Sequence, residues 1–225
     1  MNTKKELALK LFELGAFKDY RQSDDGLGFK LAAHRQNPNR PLSPFYLNLR
    51  TEDNPKPGPL TPETVKRMGI EMEKLVREKN IVFDALAGIP NAGTPLAEAM
   101  HDAMPRTMCK PLLGLTKHRN DVYGIERVVQ GDMRPGLRLL LVDDVTSDLK
   151  SKVRTAQILR GDFRFRISDC VIFVDRRPFG IRKDCPDGLN VESVFTIEEL
   201  VIIGADHGRI PSDVSERIHI YLNPA

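Results

Sequence analysis

An apolar run, Leu139-Leu-Leu-Val142, ends in two adjacent carboxylates, Asp143 and Asp144, followed by the turn Val145-Thr-Ser-Asp-Leu-Lys-Ser151. Neighbouring acids repel each other, so both stay ionised only beside a cation, hydroxyl groups or backbone donors. A sugar diol meets that need. Thr146, Ser147 and Ser151, with the free amides of a following helix, can hold a phosphate. A plainer arrangement fits the same residues: Asp143 in solvent, with Asp144, Thr146 and Ser147 capping a turn.

Two further segments carry chemistry. Gly88-Ile-Pro-Asn-Ala-Gly93 is bounded by glycines, which permit close backbone approach and make a second anion cradle. It is equally a strand-to-helix turn with Thr94 as the cap. Asp175-Arg-Arg-Pro178 places arginines after another apolar run, and Arg176 or Arg177 can clamp a carboxylate or phosphate through two nitrogens. Otherwise these arginines lie on a surface turn. Between Leu115 and Gly136 the chain is polar, with Lys117, His118, Arg119, Arg127 and Arg134, and shows no clear period. Such a stretch is either a functional lid or a solvated excursion. His118 has no His, Cys or Glu arrangement typical of a metal site around it, and no metal-ligating set is expected.

These segments need elements to position them. Thr3 and Glu6 form a capping-box pattern for a first helix with Leu7, Leu11 and Leu14 on one face and Gly15 as its stop. Residues 20 to 60 are rich in Pro, Asn, Gly and Arg. Gly28–Leu31 and Phe45–Leu49 read as two edge or hairpin strands, joined through Asn37–Pro41. Thr61 caps the next helix, Pro62 takes its first position, and Val65, Met68, Met72, Leu75 and Val76 share a face. From there strand, loop and helix alternate. Strands are expected at Ile81–Leu86, Leu137–Val142, Cys170–Val174 and Val191–Phe195, with helices at Pro95–Met104, from about Ser151 to Leu159, and from the capping box Thr196-Ile-Glu-Glu199. That alternation predicts an α/β fold: a mostly parallel sheet flanked by helices, with its ligand at the carboxyl ends of the strands. The division expected is an N-terminal helix and hood over 1–60 and an α/β core over 61–225.

Composition narrows the function classes. The 225 residues suffice for a sizeable core, and 40% hydrophobic with 29% charged is ordinary for a folded soluble protein. A net charge of +3, evenly spread, with no tryptophan, argues against a nucleic-acid partner. No apolar run reaches the roughly 18–20 residues that cross a membrane. The N-terminus lacks a secretory apolar block, and three scattered cysteines suit a reducing compartment, so a cytoplasmic location is expected.

Taken in series, the segments resemble the orotate phosphoribosyltransferases, a branch of the type I phosphoribosyltransferase fold. Leu139–Lys152 resembles that family's strand, acidic pair and loop for phosphoribosyl pyrophosphate. Leu11–Phe17 and Ser43–Arg50 resemble its hood, Ala87–Ala97 its loop beside the pyrophosphate, and Asp175-Arg176 with Val191–Leu200 its late strand and helix. The likeness runs in order from about residue 7 to 202. It implies transfer of ribose 5-phosphate from phosphoribosyl pyrophosphate to N1 of orotate, with release of pyrophosphate and with Mg2+ held mainly by the substrate. It assigns Asp143 and Asp144 to the ribose hydroxyls, and Thr146, Ser147 and Ser151 to the 5-phosphate. Asn91, Ala92 and Gly93 would lie beside the pyrophosphate. Phe45 and Tyr46 would border a small acidic base, with Arg176 near its carboxylate. It also implies a homodimer with a mobile basic loop near 115–136, in which Lys117 would assist the leaving group.

The chain departs from the family at several of these positions. Asp148 stands where a hydroxyl is usual, Leu149 and Lys150 where glycines are usual, and Ala32-Ala33-His34 replaces a Lys-Ser-Gly of the hood. Tyr123-Gly124 stands in place of His-Gly. These changes open an alternative: a non-catalytic ligand-binding or regulatory protein on the same fold.

Overall fold

A computed structural model describes residues 3–31, 34, 37–117, 123–128, 134–182 and 186–223. After α1 (Thr3–Glu13), a small antiparallel pair forms from β1 (Phe17–Asp19) and β2 (Phe45–Leu47). The other elements are α2 (Pro62–Glu78), β3 (Ala85–Gly88), α3 (Gly93–Ala103), β4 (Leu112–Lys117), β5 (Tyr123–Val128), β6 (Leu139–Thr146), α4 (Lys150–Phe163), β7 (Asp169–Asp175), β8 (Asn190–Thr196), α5 (Ile197–Asp206) and α6 (Ser212–Leu222).

The main sheet runs β5-β4-β3-β6-β7-β8, parallel from β4 to β8, with β5 antiparallel on the edge. The strand order reverses between β3 and β6: β3 leads through α3 to β4 on one side, while β6 and β7 extend the other. Their carboxyl ends therefore diverge and leave a crevice, the usual ligand position in such sheets. Apolar residues fill both faces. Leu140, Val142, Val171 and Phe173 meet α2, α3 and the hood, whereas Leu139, Leu141, Cys170 and Ile172 pack toward α4.

The α2 caps and the Thr196–Glu199 box form as the sequence indicates. Thr3, by contrast, lies inside α1, and its hydroxyl donates to Glu71 of α2. Thr94 is likewise helical, and Ala92 precedes α3 without a side-chain cap. The strand expected at Ile81–Leu86 begins only at Ala85. Val82 is exposed, and Asp84 is held by the Arg138 guanidinium at 2.6 and 3.0 Å. Gly28–Leu31 contributes a single bridge, Phe29 to Ser43, and the strand partner of β2 is Phe17–Asp19. The stretch from Leu115 to Gly136 is not without regular structure: its described residues include the end of β4 and all of β5. Tyr123–Val128 mixes Glu, Arg and Gly into an edge strand, so only its pairing with β4 defines it.

Candidate functional site

Asp143 and Asp144 lie inside β6 rather than after it, because the strand expected to end at Val142 continues through Val145 to a buried Thr146; Val142 is level with Gly88 and Thr146 with Asp175. Gly93 at the start of α3 must be glycine for this approach, because a Cβ would stand 2.4 Å from the Val142 carbonyl oxygen and 3.0 Å from Asp143 Cα. Both carboxylates are buried. Asp143 Oδ1 accepts from the Asp144 amide at 2.9 Å, and Oδ2 meets Lys152 Nζ at 2.6 Å. Lys152 reaches back from the first turn of α4 and also donates to the Val145 carbonyl at 2.6 Å. Asp144 Oδ1 accepts from the Val145 amide at 2.7 Å.

Burial, and then the charge of Asp143, push the Asp144 carboxyl up to about 7, with Lys152 opposing. Burial works against the Lys152 ammonium as well. There the nearby Asp143 and Asp144 prevail and hold its pKa above the usual lysine range.

Asp143 and Asp144 line a cleft of about 280 Å3 with Asn91, Ala92 and Ser151, and Arg50 and Lys56 bring positive charge from the opposite wall. Thus four of the residues read from sequence as flanking the sugar and pyrophosphate, together with Ser151, share one space. Thr146 does not open onto it: it is buried, and its hydroxyl accepts from the Leu149 amide at 3.3 Å. Asp148 Oδ1 accepts from the Lys150 amide at 3.2 Å. Two backbone donors of the loop are thereby taken by the loop's own side chains. Leu149 adopts a left-handed conformation (φ 56°) where glycine is favoured, and its side chain is buried. Lys150 lies 3.8 Å from Asp148, whereas Lys152 is committed to Asp143.

At the next strand end the charges are arranged differently. Asp175 and Arg177 form a buried pair in which Arg177 donates through Nε at 3.1 Å to each carboxylate oxygen and through Nη2 at 2.8 Å. Arg176 is also buried, but its Nε has no hydrogen-bond partner among the described residues. Its Nη2 reaches only Ser43 Oγ at 3.4 Å, and the guanidinium lies 4.5 Å over the Phe45 ring. Desolvation lowers its pKa to about 10. Arg176 lines a second cleft of about 720 Å3, walled by Ser147, Arg40, Leu42, Arg217 and Tyr221.

The hood aromatics take separate roles. Phe45 is wholly buried, stacked on Phe17 at 5.8 Å, and forms the floor beneath Arg176. Tyr46 points to the other side of β2, against Phe29, and its hydroxyl accepts from Arg50 at 3.1 Å. Lys117 ends β4, and its side chain lies outside the described residues, as do His118, Arg119, Asp121 and the hood positions Ala32 and Ala33. His34, the third residue of that hood substitution, is buried and accepts or donates within the hood through Leu31, Arg40 and Pro41.

Sequence reading missed Lys152, Arg50 and α6. A lysine three residues into a helix normally lies on a solvated face, and only the fold turns this one inward. Arg217 of α6 stacks 4.0 Å over Tyr20 and donates to the Leu27 carbonyl, tying the last helix to the hood.

No family model matches the chain. Among curated proteins it is similar to uridine 5'-monophosphate synthase of Bos taurus, 26% identical over 181 residues, covering 80% of this chain and 35% of that protein. Orotate phosphoribosyltransferase of Caenorhabditis elegans is 26% identical over 160 residues (71% of this chain, 65% of that one), and that of Thermococcus gammatolerans is 28% identical over 159 (71% and 78%). The chain thus spans about a third of the bovine relative and just under two thirds of the nematode one. Of solved structures, the UMP synthase of Leishmania donovani superposes with a TM-score of 0.73 at 22% identity, over 97% of this chain and 42% of that one. Mycobacterium tuberculosis orotate phosphoribosyltransferase in complex with inorganic phosphate gives 0.61 at 16%, over 89% and 91%. The fold is that of the type I phosphoribosyltransferases. In sequence, the chain is similar to orotate phosphoribosyltransferases at 26–28% identity over about 71% of its length.

Proposed function

We propose that this protein transfers ribose 5-phosphate from phosphoribosyl pyrophosphate to a small acidic pyrimidine base, orotate, releasing pyrophosphate. The observation that carries this reading is Arg176, a buried cation with an unpartnered Nε at the wall of a cleft beside the acidic strand end. A desolvated guanidinium whose Nε is left unbonded is costly, and a carboxylate presented by a ligand relieves that cost.

In this reading the base lies toward Arg176 and the sugar toward Asp144. The developing positive charge at the ribose carbon is stabilised by the acidic strand end, while Arg50 and Lys56 screen the pyrophosphate. Mg2+ travels with the substrate's pyrophosphate, since the Asp143 oxygens already accept from the Asp144 amide and Lys152. The protein works as a cytoplasmic homodimer. No helix among the described residues is long and apolar enough to cross a membrane. Light scattering that finds a monomer across micromolar concentrations would remove the dimer from this account.

The loop at 146–150 favours a second reading, ligand binding without turnover, because two of its amides, those of Leu149 and Lys150, are already taken by Thr146 and Asp148. One assay separates the two. The protein is incubated with phosphoribosyl pyrophosphate, Mg2+ and either orotate or uracil, and pyrophosphate release is followed. Release that depends on orotate supports the enzyme, whereas calorimetric binding without release supports the second reading.

A further inference from the structure

We infer that Lys152 is a positioning residue of the site: its ammonium ties Asp143 to the backbone of β6 and leaves Asp144 as the carboxyl that meets a ligand in the cleft. The inference deepens the reading of this cleft as a ribose site and rests on it for the identity of the ligand.

The geometry is asymmetric. Asp143 accepts on Oδ1 from the Asp144 amide and on Oδ2 from Lys152 at 2.6 Å, so both of its oxygens are engaged by the protein itself. Lys152 divides its protons between that carboxylate and the Val145 carbonyl, at 2.6 Å each, and so cross-links the start of α4 to the end of β6. Its side chain and that of Asp143 are 6% and 8% exposed, which keeps water from competing for the pair. Asp144 accepts one local amide bond, from Val145, and lines the same cleft. The two acids are thus equivalent in sequence and unequal in the fold.

The charges around Asp144 sharpen the difference. Asp143 faces it from β6, Lys152 from α4 and Arg176 from β7, while Arg50 and Lys56 stand across the cleft. Cys170 of β7, buried near Lys152, stays a neutral thiol, its pKa pushed up to about 12 chiefly by burial. Near neutral pH Asp144 therefore exchanges a proton beside a fixed Asp143–Lys152 pair. It can donate to a ribose oxygen when protonated and accept from a hydroxyl when ionised.

The test uses protein labelled with 13C at the aspartate carboxyls, assigned by Asp144→Asn, and follows the Asp144 resonance from pH 5 to 9. The wild-type midpoint is expected near pH 7. Lys152→Met should move it up by about one unit or more, because a neighbouring cation favours the ionised form. Should that variant not fold, Asp143→Asn carries the test alone and should move the midpoint down. An unmoved midpoint overturns the inference, since a purely structural lysine would alter only the melting temperature. Calorimetry with phosphoribosyl pyrophosphate and Mg2+ forms the second arm. Asp144→Asn should weaken binding about tenfold more than Asp143→Asn/Lys152→Met does, as expected for loss of a charge-assisted hydrogen bond. Equal losses also overturn it. If the wild type binds no phosphoribosyl pyrophosphate, the proposed function falls, and the Asp144 midpoint alone decides the role of Lys152.

Discussion

The ends of β6 and β7 lie side by side and handle buried charge in opposite ways. At β6 the protein supplies its own counter-ion, with Lys152 on Asp143. At β7 it supplies one for Arg177, through Asp175, while among the described residues Arg176 forms no ion pair, its Nε has no hydrogen-bond partner, and the nearby Asp144 acts on it only through its charge. A paired buried charge is explained by the fold that holds it. An unpaired one, kept against its desolvation cost, points outward to a ligand. Arg176 and the loosely held Asp144 therefore mark the working face of the molecule better than the more heavily bonded Asp143, Asp175 and Arg177.

The largest effect is expected where a buried pair is broken. Asp175→Ala should cost about 3–5 kcal/mol in urea denaturation, because Arg177 would be left as an uncompensated charge. A cost below about 1 kcal/mol would erase the distinction drawn between the two arginines. Arg176→Met tests the other side. Its removal should leave stability unchanged or raised, while weakening orotate binding tenfold or more relative to uracil in calorimetric titration. Equal losses for the two bases would make Arg176 structural.

The Asp144 carboxyl gives a pH dependence with a defined sign. Its folded pKa, about 7, lies above the usual carboxylate range. The native state therefore retains a proton that the unfolded chain has lost. The associated stability is fully present below about pH 4 and declines as pH rises toward 7. Asp144→Asn should accordingly raise the melting temperature at pH 8 by a few degrees and change it less at pH 5. An increase of the same size at both pH values would rule out this titration as the cause.

A smaller effect is expected in the turn after β6. Asp148→Thr with Leu149→Gly frees the Lys150 amide and relieves a left-handed leucine, but it loses a buried side chain. Stability should fall by about 1–2 kcal/mol, since losing a buried leucine outweighs the conformational gain. Phosphoribosyl pyrophosphate should bind more tightly. No gain would mean that the loop amides do not meet the phosphate. The smallest effect belongs to Asp84, whose carboxyl is held down to about 2 by hydrogen bonds from Arg138. Its contribution is present above about pH 4 and lost as pH falls toward 2, so Asp84→Asn should flatten acid unfolding slightly in that window.

Much of the frame could be read from the chain alone because it rests on local signals. Thr61-Pro62 and Thr196–Glu199 set helix starts through their nearest neighbours, and the continuous apolar runs of β6 and β7 require cover on both faces. The adjacent aspartates and Asn91-Ala92 of the glycine-bounded turn after another strand line one cleft. Local signals failed where the partner was distant: β1 pairs with β2 across the 25 residues between Asp19 and Phe45, and β5 is a strand only because β4 lies beside it.

The same limit governs the site. Sequence determined that two carboxylates follow one apolar run and that an Asp-Arg-Arg triplet follows another. Whether each charge is satisfied was decided by tertiary structure. Lys152 is nine residues from Asp143 and meets it only because α4 folds back on β6, and Arg176 sits over Phe45 only because the hood closes on β7. Residue types fix which charges exist, but the energy of a charge depends on the distance and burial of its partners, and those are properties of the packed fold.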